Sequence, residues 1–222
     1  MLIKDLNIPI KRGAIHVGAH EGEEREFYKD FTKTIWFEPD NSTFIKLFNN
    51  LKDYPNQVPF NWGIHDELKF ANLNVANNDG QSSSILDFGL HSNYHPNVKF
   101  VGKKRISLIR LDEFFKIGIR DIKDFNFLNI DVQGVELNVI KSLGAMVMEL
   151  DYIYTEVNDQ ELYKGCCLVE DIDLYLDKCG FLRTQTVWTK AHWGDALYVK
   201  KDLLGGLIEH KDIQPWKHTS SI

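Results

Sequence analysis

The most apolar strand-like run in this chain, Phe125–Val132 (FNFLNIDV), does not alternate between polar and apolar residues. Gly134 bounds the run, and Val135, Val139 and Ile140 follow it at helical spacing. A continuous apolar run of this length is typical of a strand that is buried on both faces, as in parallel sheets covered by helices. The run therefore predicts an α/β fold with this strand near the centre of the sheet.

Strand-like and helix-like segments alternate before this run. The predicted strands are Ala14–Ala19, Thr34–Glu38 and Gln57–Ile64, followed by extended segments over Leu68–Val75 and up to Ile109. The predicted helices are Glu21–Phe31, a helix capped by Asn41 and Ser42, and Leu111–Phe115. This alternation predicts a parallel sheet with helices on both faces and right-handed crossovers.

The end of the sheet is expected to differ from the rest in its strand direction. A strand over Asp151–Val157 and an amphipathic helix over Leu168–Cys179 are followed by two further strands, Phe181–Trp188 and Ala196–Lys200. The segment between these two strands is too short for a crossover helix, so they must pair antiparallel. The sequence thus predicts a doubly wound, mostly parallel sheet with a C-terminal antiparallel hairpin.

Length and the distribution of polar residues indicate the domain organisation. With 222 residues in total, we expect a single domain over residues 1–201 and a C-terminal extension over residues 202–222. Residues 76–98 are rich in Asn, Ser, Gly and His, which predicts an inserted loop. The sequence leaves open whether the chain is part of a longer multidomain protein.

Composition restricts the partners and the compartment. Asp and Glu outnumber Lys and Arg by 32 to 26, giving a net charge of −6 without a basic cluster, which argues against nucleic acid and anionic membranes. No run approaches the roughly 18 apolar residues of a membrane span, and the N-terminus does not resemble a signal peptide. The cysteines, Cys166, Cys167 and Cys179, lack metal-site or disulfide spacing. We therefore expect a cytoplasmic protein without a membrane span or nucleic-acid partner.

Two features of the first strands indicate a ligand site. The turn Gly18–Gly22 (GAHEG) has small residues that let the backbone approach a ligand, and Glu38 ends the second strand. In a doubly wound sheet both positions lie at the crevice where ligands bind, and a carboxylate there can accept the hydroxyl groups of a ribose. The alternatives are a purely structural turn and a solvated acid, but the combination favours a nucleoside-containing ligand.

Oxygen-bearing side chains also end the later strands. Asp131 follows the central strand, and Glu156 and Asn158 occupy the matching edge one strand over. Asp131 is therefore a candidate base or acceptor anchor. The three side chains also match the oxygen ligands of a divalent cation, although solvated or capping roles are the more common outcome and we expect no bound metal.

Loops at this edge contribute further candidates. Four residues cluster in the predicted hairpin turn: Trp188, His192, Trp193 and Asp195. Such side chains suit stacking on a sugar and hydrogen bonding to it, although they would serve equally as an aromatic plug over the sheet edge. Three histidines come from loops expected to converge on the site: His20, His91 and His95. His16 lies inside the first strand, where a satisfied core histidine is the more common outcome.

The order and spacing of seven segments carry a family resemblance. They are IHVGAHEGEE at 15–24, WFEPD at 36–40, SSSIL at 82–86, LDEFF at 111–115, NIDVQGVELNVIKSLG at 129–144, YTEVN at 154–158 and WGDALYVK at 193–200. Over residues 13–200 the chain resembles the FkbM-type, S-adenosylmethionine-dependent methyltransferases of the class I, Rossmann-like fold. The resemblance implies S-adenosylmethionine as cofactor and O-methylation as reaction.

The resemblance also implies residue roles. Gly18–Gly22 would wrap the methionine part of the cofactor, Glu38 would hold its ribose, residues 61–64 would border the adenine, and Asp131 would lie near the transferred methyl group. The cofactor-binding set is then His16, Gly18, Ala19, His20, Gly22, Glu38, Pro39, Asn61, Trp62 and Asp131. The family usually has an acidic residue in place of His16, Asn in place of His20, and often Lys and Glu in place of Asn129 and Gln133.

The acceptor is expected to be a hydroxyl group of a small molecule or glycan, with a sugar favoured. The predicted catalytic residues are Asp131, His192 and Asp195. The predicted acceptor-binding residues are Ser83, His91, His95, Asn158 and Trp193. Two alternatives remain open: a nicotinamide-dependent oxidoreductase, which the absence of G-x-G-x-x-G disfavours, and a noncatalytic module that binds a glycan or a protein.

Overall fold

The computed structural model describes Leu6, Ile8 and residues 11–205. Residues 206–222, most of the predicted C-terminal extension, lie outside the described residues. The strands are β1 (Gly13–Val17), β2 (Lys33–Phe37), β3 (Gln57–Phe60), β4 (Gly63–Ile64), β5 (Lys69–Ala76), β6 (Phe100–Ile109), β7 (Phe127–Ile130), β8 (Tyr152–Asn158), β9 (Phe181–Trp188) and β10 (Trp193–Lys200). The α-helices are α1 (Asn41–Asn50), α2 (His91–Tyr94), α3 (Leu111–Lys116), α4 (Glu136–Lys141) and α5 (Val169–Lys178).

A seven-stranded sheet of order β3-β2-β1-β7-β8-β10-β9 organises the structure. The strands β3, β2, β1, β7 and β8 are parallel, whereas β10 runs antiparallel to both β8 and β9. The predicted α/β fold, with its mostly parallel sheet and C-terminal hairpin, is therefore confirmed.

Apolar side chains cover both faces of this sheet. Phe114, Val139 and Ile172, from α3, α4 and α5, are buried in the core on one face. Tyr28 and Leu47 are buried in the core on the other face. Because helices occupy both faces, polar residues at the strand ends are left facing the edge, where a crevice can form.

A three-stranded sheet of order β4-β6-β5 lies beside the large one. It corrects the prediction of one strand over Gln57–Ile64, since β3 belongs to the large sheet and β4 to the small one. The extended conformation is interrupted after β3, at Asn61. The side-chain amide of Asn61 donates to the carbonyl oxygens of Glu38 (2.8 Å) and Pro39 (3.2 Å). The extended segment predicted over Leu68–Val75 is β5.

The segment predicted as a helix over Glu21–Phe31 is a 3₁₀ helix over Glu23–Asp30. Tyr28 is the buried residue of this helix, and Phe31, which ends it, is buried as well. The cap of α1 also differs from the prediction. Asp40, not Asn41 or Ser42, caps the helix, because its extended backbone lets Oδ1 accept the backbone N–H of Ser42 at 3.0 Å.

Part of the predicted insertion over residues 76–98 has regular structure. It contains α2, and Ser84 pairs with Asn74 of β5 in an isolated antiparallel bridge. Among the described helices, none combines the length and the apolar character that crossing a membrane requires.

Candidate active site

A cavity of about 910 Å³ opens where the strand order reverses, at the carboxyl ends of β1 and β7. The chain leaves β1 toward β2 and β3 on one side and returns to β7 on the other. The loops at these two strand ends therefore diverge, which makes this point the usual ligand site of a doubly wound sheet. The cavity is near the upper end of the range of about 300–1,000 Å³ that ligand pockets span.

The turn after β1 packs directly against the end of β7. Gly18 has a φ of +83°, and a Cβ atom there would lie 1.7 Å from the carbonyl oxygen of Asp131. The backbone N–H groups of Gly18 and Ala19 both donate to the carbonyl of Phe37 at 3.1 Å. Only glycine fits this position, because the left-handed backbone and the close approach both exclude a side chain.

Glu38 is buried at the end of β2, with 7% of its surface exposed. Its Oε2 accepts the backbone N–H of His20 at 3.0 Å, and its Oε1 accepts that of Asp40 at 2.8 Å. Burial raises its pKa to about 7, against the lowering effect of these two hydrogen bonds. Since a carboxylate offers about four acceptor positions, two remain for a ligand.

The ring of His20 connects this turn to the insertion. Its Nδ1 lies 2.7 Å from Glu23 Oε1, and its Nε2 lies 2.9 Å from the carbonyl oxygen of Asp79. The hydrogen bond to Glu23 raises the pKa of His20 to about 9. The ring is therefore an imidazolium at neutral pH, and both nitrogens donate.

Gln133 joins carboxylates at the ends of β7 and β8. Its Nε2 donates to Asp131 Oδ1 at 2.6 Å and to Glu156 Oε2 at 3.0 Å, and its Oε1 accepts the hydroxyl of Tyr163 at 2.5 Å. Gln133 has a φ of +59°, and its carbonyl accepts the hydroxyl of Ser84 at 2.7 Å. The main sheet and the insertion thus fix the position of Asp131 together.

The carboxyl groups of this network resist ionisation. The low-dielectric surroundings raise the pKa of Asp131, and the hydrogen bond from Gln133 opposes that shift. Burial and the charge of Asp131 raise the pKa of Glu156 well above its usual value. The same two causes raise the pKa of Asp195, which accepts a hydrogen bond from Tyr154, to about 6.

The structure brings most of the predicted site residues to the cavity. Besides Gly18, His20, Glu38 and Asp131, the predicted residues that line it are His16, Ala19, Pro39, Ser83, His91, His95, Trp193 and Asp195. His16 is 2% exposed and stacks on Trp36 at 4.6 Å between ring centroids. Burial lowers its pKa to about 3, so it is a neutral ring on the cavity wall.

Other predicted site residues lie outside the cavity lining: Gly22, Asn61, Trp62, Asn158 and His192. Gly22 packs against α1, where a Cβ would lie 2.7 Å from Leu47 Cδ1. Asn61 borders a smaller cavity that also contacts Pro39 and Asp40.

Trp62 stacks on Phe60 at 5.9 Å between ring centroids. Asn158 is fully buried without a hydrogen-bond partner for its side chain among the described residues. His192 Nδ1 lies 2.8 Å from Asp159 Oδ1.

The lining residues that were not singled out from the sequence include Glu24, Tyr154 and Tyr163. Glu24 belongs to the 3₁₀ helix, and burial raises its pKa to about 7. Tyr163 lies in a loop without periodicity, so its pairing with Phe88 across the insertion carries no sequence signal. For Tyr154, the alternation along β8 was available, since it shares a strand face with Glu156.

Fold and site together define a class I, Rossmann-like protein with a nucleoside-type crevice. A sequence profile of the "Methyltransferase FkbM domain" matches residues 16–183. The chain therefore belongs to the FkbM methyltransferase family, and the resemblance noted from the sequence is confirmed.

Relatives and solved structures give further similarities. The chain is 28% identical over 161 residues to the 2-O-methyltransferase NoeI of Sinorhizobium fredii; the match covers 68% of this chain and 65% of that protein. It thus spans less than two thirds of that relative. Aeropyrum pernix fibrillarin with bound S-adenosylmethionine aligns over 87% of this chain and 70% of its own at 13% identity and a TM-score of 0.47. Magnesium protoporphyrin IX methyltransferase of Synechocystis aligns over 86% and 70% at 9% identity and a TM-score of 0.45.

The crevice fits the family's cofactor, S-adenosylmethionine, as the sequence predicted. The Gly18 turn and the buried Glu38 line the same cavity, and the carboxyl oxygens of Glu38, which accept one hydrogen bond each, keep further acceptor positions. Asp131 lies on the opposite side of the Gly18 turn, at the end of β7. These residues would hold the methionine part and the ribose.

In the part of the chain that the structure describes, no group of three or more His, Cys, Asp or Glu side chains could hold a metal ion.

Proposed function

We propose that this protein transfers the methyl group of S-adenosylmethionine to a hydroxyl group of a small molecule or glycan, with a sugar favoured. The observation that carries the proposal is the convergence of the Gly18 turn, Glu38 and Asp131 on one cavity. The similarity to a 2-O-methyltransferase supports oxygen as the methylated atom. Trp193, an indole on the cavity wall, supports a sugar, because sugars stack on aromatic rings.

Bound S-adenosylmethionine supplies an electrophilic methyl group on a sulfonium. The methyl group would pass to the oxygen of the acceptor hydroxyl, leaving S-adenosylhomocysteine, and a protein group would take the proton that this hydroxyl loses. Positioning of the two partners can contribute up to about 7–11 kcal/mol. A general base adds roughly 10²–10⁴ in rate, so it assists the reaction without being indispensable.

We assign the role of general base, which accepts the proton of the acceptor hydroxyl, to Asp131. Asp195 is the second candidate for this role. Gln133 holds Asp131 Oδ1 at 2.6 Å, which leaves Oδ2 free of any hydrogen bond from Gln133. His192 is the weakest of the predicted bases, because its Nδ1 is bonded to Asp159 and the ring does not line the cavity. We assign binding of the methyl acceptor to four cavity residues: Ser83, His91, His95 and Trp193. Asn158 would affect acceptor binding only through Trp193, its partner in the antiparallel pair.

Substitution of Glu38 and Asp131 separates binding from chemistry. We expect Glu38→Ala to raise the dissociation constant of S-adenosylmethionine by about tenfold or more, since the ribose loses its acceptor, whereas Asp131→Ala leaves cofactor binding nearly intact and lowers turnover. Calorimetry and initial rates measure the two effects. An equal loss of cofactor affinity in both variants would contradict this division of roles.

The first experiment is calorimetric titration with S-adenosylmethionine, S-adenosylhomocysteine and NAD, with magnesium and with chelator. We expect micromolar binding of the two adenosyl ligands and none of NAD. Binding of NAD alone would indicate an oxidoreductase. Binding of no nucleoside ligand would indicate a noncatalytic glycan- or protein-binding module.

A further inference from the structure

Carboxylates line the cavity, but no Lys or Arg does so among the described residues. The acidic lining residues are Glu23, Glu24, Glu26, Glu38, Asp40, Asp131, Glu156 and Asp195. Some have partners: Asp40 pairs with Lys104 at 2.6 Å, and Glu23 pairs with the His20 imidazolium at 2.7 Å. Asp131, Glu156 and Asp195 form no salt bridge within the described residues, although the charge of the His20 imidazolium acts to lower the pKa of Asp131. We call these three the acidic wall.

The acidic wall spans three neighbouring strand ends. Asp195 of β10 stands directly opposite Glu156 of β8 in the antiparallel pair. Asp131 follows Ile130, which pairs with Thr155, so it lies beside Glu156 as well. Like charges in directly opposed positions destabilise a sheet. Burial and the charge of Asp131 raise the pKa values of both Glu156 and Asp195, and a bound cation would relieve that repulsion.

An independent observation indicates a polar ligand in the same cavity. The ring of His91 lines the cavity and is 5% exposed, yet its Nδ1 has no hydrogen-bond partner within the described residues. Phe88 holds the ring by stacking at 4.3 Å between centroids. A buried polar group is normally paired, so an unpaired one beside a cavity points to a ligand that supplies the partner.

The wall is not arranged to take a metal ion, since no group of three such side chains in the described residues could hold one. Among cations, this favours an organic one over a metal ion. Trp193 lines the cavity two residues before Asp195 on the same strand, so an aromatic face stands beside the acidic wall. An indole beside carboxylates suits a sugar ring that carries an ammonium group.

We propose that the acceptor is an amino sugar with a protonated amine, held by the acidic wall and Trp193, and that sugars carrying phosphate or carboxylate are excluded. This inference rests on the proposed methyl transfer and specifies its substrate class. An anionic sugar would add a negative charge beside three acidic side chains that already resist ionisation, and no Lys or Arg of the described lining would offset it.

The test uses methyl glycosides of glucosamine, glucose and glucuronic acid, matched in size, with protein saturated with S-adenosylhomocysteine. We expect the dissociation constant of the glucosamine glycoside to be at least tenfold below that of the glucose glycoside, and the glucuronide to bind weakest. Equal affinities, tighter binding of the glucuronide, or no binding of any of the three would overturn the inference. Release of S-adenosylhomocysteine in a separate assay with S-adenosylmethionine tests the methyl transfer itself, so the two failures are distinguishable.

Asp195→Asn tests the wall with little change of shape. We expect the ratio of glucosamine to glucose affinity to fall by about tenfold, and Glu156→Gln provides a second removal of a wall carboxyl. Asp53→Asn is the matched control, because Asp53 is an exposed acid remote from the cavity lining. An unchanged ratio in both wall variants would contradict the assignment.

Discussion

Several residues of the site have backbone conformations that most side chains avoid. His20 and Gln133 have φ values of +45° and +59°, and Asp79, which accepts a hydrogen bond from the His20 ring, has +57°. Such conformations cost about 1–3 kcal/mol each and persist only where neighbouring contacts over-determine them. Here those contacts are the carboxylate of Glu38 on the His20 N–H and the Ser84 hydroxyl on the Gln133 carbonyl.

Substitution of Gly18 tests whether the turn after β1 requires glycine. We expect Gly18→Ala to lower the free energy of unfolding by more than about 2 kcal/mol, because the left-handed backbone and the approach to the Asp131 carbonyl both oppose a Cβ. Gly102→Ala is the control, since a Cβ there meets nothing within 4 Å, and it should change stability by less than about 0.5 kcal/mol. Urea unfolding measures both, and similar effects of the two substitutions would refute the interpretation.

At the scale of elements, one carboxylate of α5 accepts hydrogen bonds from both strands of the terminal hairpin. Asp173 Oδ1 and Oδ2 accept Nε and Nη2 of Arg183 at 2.9 and 2.8 Å, and Asp173 Oδ1 also accepts the buried hydroxyl of Tyr198 at 2.8 Å. The bidentate geometry fixes the angle between α5 and β9 as well as their distance. The hairpin in turn places Trp193 and Asp195 at the cavity.

We therefore expect Asp173→Ala to destabilise the fold by about 2 kcal/mol, because the Arg183 guanidinium and the Tyr198 hydroxyl lose a charged acceptor. Glu170→Ala, on the exposed side of the same helix, should cost no more than about 0.5 kcal/mol. Denaturant midpoints at a common slope give the comparison. Equal midpoints for the two variants would mean that apolar packing alone holds α5.

For the whole molecule, a buried neutral histidine couples folding to pH. Burial lowers the pKa of His16 from 6.5 to about 3. Between pH 3 and pH 6.5, the ring is therefore protonated in the unfolded chain and neutral in the folded chain. Stability contributed by the neutral ring is complete above pH 6.5 and is lost as the pH falls toward 3. The cavity carboxyls with raised pKa values act in the opposite sense, so a variant is needed to isolate His16.

His16→Asn removes this proton linkage. We expect the difference in unfolding free energy between the parent and the variant to be constant above about pH 7 and to shift progressively in favour of the variant below it. Urea titrations between pH 4 and 8 provide the measurement. Parallel pH curves for the two proteins would show that His16 titrates normally and is not buried as described.

The strands and helices could be predicted from the sequence more completely than the contacts within the site. The central strand was recognisable because its residues are apolar on both faces, and the hairpin because its connection is short. The 3₁₀ helix was predicted only as a helix, since its period depends on which residues the core buries. The bridge from Gln133 to Glu156 and Tyr163 had no local signal, because these two partners lie 23 and 30 residues further along the chain.

The sequence by itself determined the succession of strands and helices along the chain, the hairpin, the glycine turn and the acids at the strand ends. These features depend on residue type and spacing within short segments. The tertiary structure alone decided which of those residues share a cavity. It turned His192 toward Asp159 and Asn158 into the interior, and it set Asp195 opposite Glu156. Such neighbours come from strand order and register across the sheet, which no local pattern of residues encodes.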